Sequence, residues 1–219
     1  MTAPLLVQGE TCRGIYEATE TGLLVDAGSY YRAFHDAAER ARSFILIAGW
    51  QFDSGVDLLR GGNPGTRGDT ALLPFLSRLC ETNPYLHVYI LAWDFSMLFA
   101  QEREWFQDFI FNWNGHDRIL FRFDDTHAVG GSHHQKYVVI DGAIGFVGGV
   151  DLCSARWDDR RHLTKNPLRT GTDGKEYDPY HDVQTYHTGP AARDLEELFL
   201  DRWVKSGGEA LDLLHPPER

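Results

Sequence analysis

Cysteine is scarce and poorly placed for chemistry. Cys12, Cys80 and Cys153 are an odd number, lie far apart and show no CxxC spacing. This excludes a disulfide framework or a thiolate zinc site and reads as reduced, partly buried thiols. Long apolar runs are absent as well. No segment approaches the roughly 20 residues that span a bilayer as a helix. The first dozen residues, Met1 to Cys12, lack the charged and apolar regions of a signal peptide. A cytoplasmic location, or one peripheral to a membrane, is the expectation. Excess positive charge is missing too: 32 acidic residues face 21 lysines and arginines, for a net charge of −11. A protein that grips many nucleic-acid phosphates carries a basic stripe, so nucleic acid is the less favoured partner. A local cationic pocket remains compatible with an acidic chain.

What is present has an ordinary globular profile, without repeats or low-complexity segments. The 219 residues suffice for one domain, 1–219, with a sizeable core. Tyr31, Phe34, Ala38 and Ala41 recur at helical spacing behind Ser29, which predicts a helix over 29–42 with Ser29 as its N-cap. Further helices are predicted around 69–82 and 99–112, and buried strands over 44–50, 86–93 and 118–123. This alternation predicts an α/β fold, a layered α-β-α domain with a central mixed, partly parallel sheet. Residues 157–181 are polar and rich in Asp, Arg, Gly and Pro, as a long functional loop would be. A strand over 182–187 follows. A helix then opens at Gly189-Pro190, with Leu195, Leu198, Phe199 and Trp203 as its apolar stripe.

The densest chemistry lies at 133–151. Residues 135–140 read as a strand, and Asp141-Gly142 signals a two-residue hairpin turn. That turn would pair Tyr137 with Phe146 and set Lys136 opposite Val147 and His134 opposite Gly149. Alternation puts His134 and Lys136 on one strand face, roughly 7 Å apart at Cα. Gly148 and Gly149 would offer bare backbone beside them, where a phosphate can approach without meeting a Cβ. Lysine is a compact cation for phosphate oxygens, and histidine is a nucleophile or proton carrier near neutral pH. A covalent phosphohistidine would divide one hard displacement into two easier steps.

The full pattern, His134-x-Lys136-x4-Asp141 followed after six intervening residues by Gly148-Gly149, resembles the HKD signature of the phospholipase D superfamily at every fixed position. The resemblance continues through Gly148-Gly-Val-Asp-Leu-Cys-Ser-Ala-Arg-Trp-Asp-Asp159, His181-Asp-Val-Gln184, Thr188-Gly-Pro-Ala-Ala192 and Arg202-Trp203. Upstream, Leu24-Val-Asp26 and Ile47-Ala-Gly-Trp50 also resemble the amino-terminal half of two-motif phospholipases D. It implies a metal-independent phosphodiesterase or phosphatidyltransferase acting on phospholipid head groups, with no cofactor.

By the same resemblance, His134 is the nucleophile and Lys136 binds phosphate. Asp141 is the motif aspartate, but it sits at the turn, roughly 20 Å from His134 along a straight strand, which favours a turn-forming role. Asp182 is the candidate to fix the histidine tautomer. Gly148, Gly149, Asp151 and His133 are candidates for the phosphate pocket, Asp151 either tuning it or orienting a loop, and His133 either donating to it or merely flanking. No ligand spacing joins His133, His134, His181 and His187 into a zinc site. Arg156, Arg160 and Arg161 could meet an anionic head group or simply be solvated.

The chain has a single HxK, whereas the superfamily chemistry uses two motifs. The expectation is therefore half an active site. Its partner would be a second HKD domain, as for the amino-terminal half of a longer phospholipase, or a second copy in a nuclease-like homodimer. A third reading is an inactive interaction module.

Overall fold

The computed structural model describes residues 4–61, 70–94, 107–128 and 131–216. Its elements run β1 (Thr21–Val25), α1 (Asp26–Ala38), β2 (Phe44–Gly49), α2 (Leu72–Thr82), β3 (His87–Trp93) and α3 (Gln107–Asn114). They continue with β4 (Ile119–Asp124), β5 (Tyr137–Ile140), β6 (Ile144–Gly148), β7 (Val183–Thr188) and α4 (Pro190–Lys205). Seven strands form one sheet in the order β1-β7-β6-β5-β2-β3-β4. The pairs β2–β3 and β3–β4 are parallel and the others antiparallel, so the fold is α/β on a mixed sheet.

The layering follows from the alternation along β2, which is buried throughout. Ile45 and Ile47 pack with Tyr30 and Phe34 of α1, Leu76 of α2 and Phe111 of α3. Phe44, Leu46 and Ala48 turn the other way and pack with Phe199 and Trp203 of α4. A strand covered on both faces reads as a continuous apolar run, as 44–49 does. The helices α2 and α3 connect successive parallel strands and share a face with α1.

Two local expectations are corrected. The first helix spans 26–38 rather than 29–42, because β1 passes directly into it. Asp26 makes that corner with a left-handed φ of 67°, and Val25, without a side-chain cap bond, stands where Ser29 was expected to cap. The hairpin is also one residue longer. Asp141, Gly142 and Ala143 form the turn, with φ of 54° and 65° at the first two. Tyr137 therefore pairs with Val147 rather than Phe146, and the Lys136 carbonyl accepts from the Gly148 amide at 3.1 Å. The expected helices at 69–82 and 99–112 are observed over 72–82 and 107–114. Residue 69 and residues 99–106 lie outside the described residues.

Because β5 runs antiparallel to β2, the residues before Tyr137 emerge beside Gly49 and Trp50. The end of β6 and the start of β7 meet the same edge of the sheet, the end to which the parallel strands β2 and β3 also point. Crevices at such strand ends are the usual binding places of α/β sheets.

Candidate active site

His134 and Lys136 precede β5 on one side of the chain, and their side chains meet: Lys136 Nζ lies 3.3 Å from His134 Nε2. An ammonium has only donors, so it can bond this nitrogen only when Nε2 is an unprotonated acceptor and Nδ1 carries the ring proton. Lys136 is 7% exposed, and its second partner is the buried Asp151, with Nζ 3.2 Å from Oδ2. The other Asp151 oxygen accepts the Trp50 amide at 2.9 Å. Burial pushes the Asp151 carboxyl above the usual carboxylate range, and the Lys136 charge and Trp50 amide oppose that push. For His134, burial and then the Lys136 cation lower the imidazole below its ordinary value, with Asp151 opposing. The ring is thus held toward its neutral form while remaining exposed to solvent.

The walls are aromatic and glycine. The Trp50 ring stands edge-on to His134 at 4.5 Å between centroids, with Trp93 behind it at 4.0 Å. Lys136 Nζ also lies 5.8 Å from the Trp50 ring centroid, within cation–π range. At Gly148, a Cβ would strike the Val183 carbonyl and the Gln184 side chain; at Gly149 it would strike the Asp182 carboxylate. Position 148 therefore requires glycine because the β7 backbone passes so closely, whereas Gly149 faces the Asp182 side chain. Behind them, the buried Tyr31 hydroxyl bonds the carbonyls of Asp151 at 2.7 Å and Cys153 at 3.1 Å, fixing the segment that presents Asp151.

The sequence of the family described as Phospholipase D matches residues 37–217. The chain belongs to the phospholipase D family. Phospholipase D C of Dictyostelium discoideum is 28% identical over 204 residues, covering 82% of this chain and 12% of that protein. Phospholipase D alpha 1 of Vigna unguiculata is 28% identical over 229 residues, covering 83% of this chain and 28% of that protein. The chain thus spans less than a third of the length of either relative. The fold resembles that of Nuc from Salmonella typhimurium, a phospholipase D family member (TM-score 0.52, 15% identity, 85% of this chain and 96% of that one). It also resembles phosphatidylserine synthase of Haemophilus influenzae (TM-score 0.53, 18% identity, 86% of this chain and 37% of that one).

Within this family frame, the other candidate residues take separate places. Asp151 joins His134 and Lys136. Asp141 lies at the far end of β5, where its carboxylate accepts the amides of Arg42, Ser43 and Phe44 at 2.8, 2.8 and 3.0 Å. Asp182 lies against Gly149 but bonds the Val183 amide at 2.7 Å and the Tyr180 hydroxyl at 3.3 Å; among the described residues it has no hydrogen bond to His134. His133 turns toward β4, with Nε2 3.3 Å from the Thr126 carbonyl and 3.5 Å from Asp124 Oδ1. Of the three loop arginines, Arg161 is tied to Asp159, whereas Arg156 lies over the Tyr180 ring at 5.1 Å and feels the Asp151 charge.

Sequence reasoning did not foresee the Lys136–Asp151 ion pair, the Tyr31 brace, or the buried Gln184, whose Oε1 accepts the Val150 amide at 3.2 Å. Asp151 was visible as the position after GGx, but nothing in its spacing announced a partner fifteen residues earlier. Tyr31 was legible only as a core residue of a helix.

Proposed function

We propose that this chain supplies one half of a phosphodiester-cleaving active site, with phospholipid as its substrate class and His134 as the nucleophile. The observation that carries the reading is the 3.3 Å contact between Lys136 Nζ and an acceptor His134 Nε2, with the buried Asp151 carboxylate 3.2 Å behind the ammonium. In the reaction, Lys136 Nζ passes from His134 Nε2 to the non-bridging oxygens, the freed Nε2 attacks phosphorus and the bond to the head-group oxygen breaks. The leaving alkoxide takes a proton from an acid on the second half. Water, or another alcohol in transfer, then gives its proton to that same second-half group, attacks phosphorus and breaks the P–N bond.

Lys136 holds the non-bridging oxygens through both steps, and Asp151 fixes its ammonium in place. Asp182, alongside Gly149, is assigned the part of orienting carboxylate for His134. Asp141 is assigned to the hairpin rather than to the chemistry, and His133 to the rim. The phospholipid assignment draws support from the relatives named phospholipase D and from the net charge of −11, which disfavours a nucleic-acid track. Since the chain carries one HxK, the acid comes from a second HKD half, either a further domain or a second copy. The homodimeric phosphodiesterase is thus an alternative source of the same chemistry. Among the described residues no helix is long and apolar enough to cross a membrane, so access to lipid is assigned to surface contact.

The test compares hydrolysis and head-group exchange of phosphatidylcholine with cleavage of plasmid DNA, for wild type and His134→Ala. Lipid turnover abolished in the variant is the expected result. Cleavage of DNA alone would move the substrate class, and turnover retained by His134→Ala would remove the nucleophile.

A further inference from the structure

A second cluster lies at the corner where β1 enters α1. The Asp26 side chain is fully buried there, and two histidines from the ends of the long loop converge on it. His181 Nδ1 is 2.7 Å from Asp26 Oδ1, and His162 Nε2 is 3.0 Å from Asp26 Oδ2. One ligand atom from each residue lies within 4.8 Å of the others. The two imidazoles stand edge to face at 4.5 Å, with an interplanar angle of 89°.

We propose that Asp26, His162 and His181 form a binding site for a borderline divalent cation of the Zn2+ class. Two imidazoles and one carboxylate suit such an ion, whereas Mg2+ and Ca2+ favour all-oxygen sets. Three protein ligands leave a further position for water. An ion with bonds of about 2.0–2.2 Å to N and O needs ligand atoms roughly 3.3 Å apart in a tetrahedron. His162 Nε2 and Asp26 Oδ2 at 3.0 Å are near that spacing, whereas His181 Nδ1 hydrogen-bonds Asp26 Oδ1 at 2.7 Å and would exchange that bond for the ion.

A second observation points independently to a ligand. Asp26 Oδ2 is buried without a hydrogen bond. His162 Nε2 is near it, yet the geometry is not that of a hydrogen bond. A nitrogen and an oxygen so placed are arranged to share a third atom rather than to bond each other. An orphaned buried carboxylate oxygen is otherwise costly. The outer partner is present as well: the remaining His162 nitrogen lies 3.5 Å from Oδ2 of the buried Asp158, which Arg169 holds at 3.1 Å. Metal-bound histidines characteristically have such a carboxylate behind them.

The ion would clamp the 157–181 loop at both ends onto the first residue of α1. The next residue, Asp182, lies against Gly149, so the clamp adjoins the candidate active site without using its residues.

The test titrates chelator-treated protein with Co2+ and reads visible d–d absorption, with Zn2+ as competitor. One equivalent is expected to bind, with intensity typical of a four- or five-coordinate site, and Zn2+ is expected to displace it. His181→Ala, a substitution at an exposed side chain, and His162→Ala should each abolish the band, while His187→Ala should retain it. Zn2+ should also slow proteolysis within 157–181. No band, a band surviving His181→Ala or His162→Ala, or binding without loop protection would overturn the proposal.

Discussion

At the residue scale, the proposed chemistry turns on keeping one imidazole neutral beside a cation. Burial and Lys136 both lower the His134 pKa, and the neutral ring is the nucleophilic form. The sign is then fixed: protonation removes the nucleophile, and the lowered pKa moves that loss to lower pH. The His134 titration, followed by NMR, is expected below the ordinary imidazole midpoint of about 6.5. In Lys136→Met it should move upward, because the repelling charge is gone. A midpoint at or above the ordinary value in wild type would contradict the electrostatic picture.

At the element scale, the two ends of β5 do different work. Its leading end carries His134 and Lys136. Its trailing end carries Asp141, whose carboxylate caps three amides at the start of β2. Asp141→Ala leaves these donors without their acceptor and is expected to cost about 1–3 kcal/mol in denaturant unfolding. Turnover by the folded fraction should be unchanged; a lost rate at full folding would return Asp141 to the chemistry. The anchor of α4 is a buried pair, with Arg202 Nη2 2.9 Å from Asp124 Oδ2. Asp124→Asn leaves the buried guanidinium without its countercharge, though still bonded to Gln135, and should cost about 3–5 kcal/mol. Burial alone would raise the Asp124 carboxyl, but the bonds from Thr126 and Arg202 prevail and lower it. Its stabilisation is therefore present above the unfolded carboxylate pKa and disappears as pH falls through the lowered folded value. Acid unfolding curves of wild type and Asp124→Asn should converge there.

Much of this scale was legible in the sequence. The runs 44–49 and 87–93 announced buried strands because both their faces are covered, and Gly189-Pro190 announced the start of α4. The register of the β5–β6 hairpin was not legible. Asp141-Gly142 suits a two-residue turn, and the three-residue outcome is seen together with long-range bonds from Asp141 to residues 42–44. The site was legible where residues two apart share one side of the chain, as for His134 and Lys136 just before β5. It was illegible where the fold joins them, as for Lys136 with Asp151 or Asp26 with His162 and His181.

At the scale of the whole molecule, one sheet runs from β1 to β4 through both faces of the core, and we propose that residues 1–219 unfold as one domain. A single calorimetric transition is expected. The single HxK carries the larger consequence: one copy holds the proposed nucleophile and phosphate cation but only half of the proposed pair. Specific activity should therefore rise with association, either with itself or with a second HKD polypeptide. Constant activity per chain at dilutions where sedimentation finds only monomer would contradict the half-site.

The central claim is that His134 forms a covalent bond to phosphorus. The most direct measurement is mass spectrometry of protein quenched during turnover of a short-chain phosphatidylcholine, at concentrations that favour association. A phosphatidyl adduct on the peptide containing His134, absent in His134→Ala, is the predicted result. Turnover without an adduct, an adduct on another residue, or no turnover under any associating condition would contradict it.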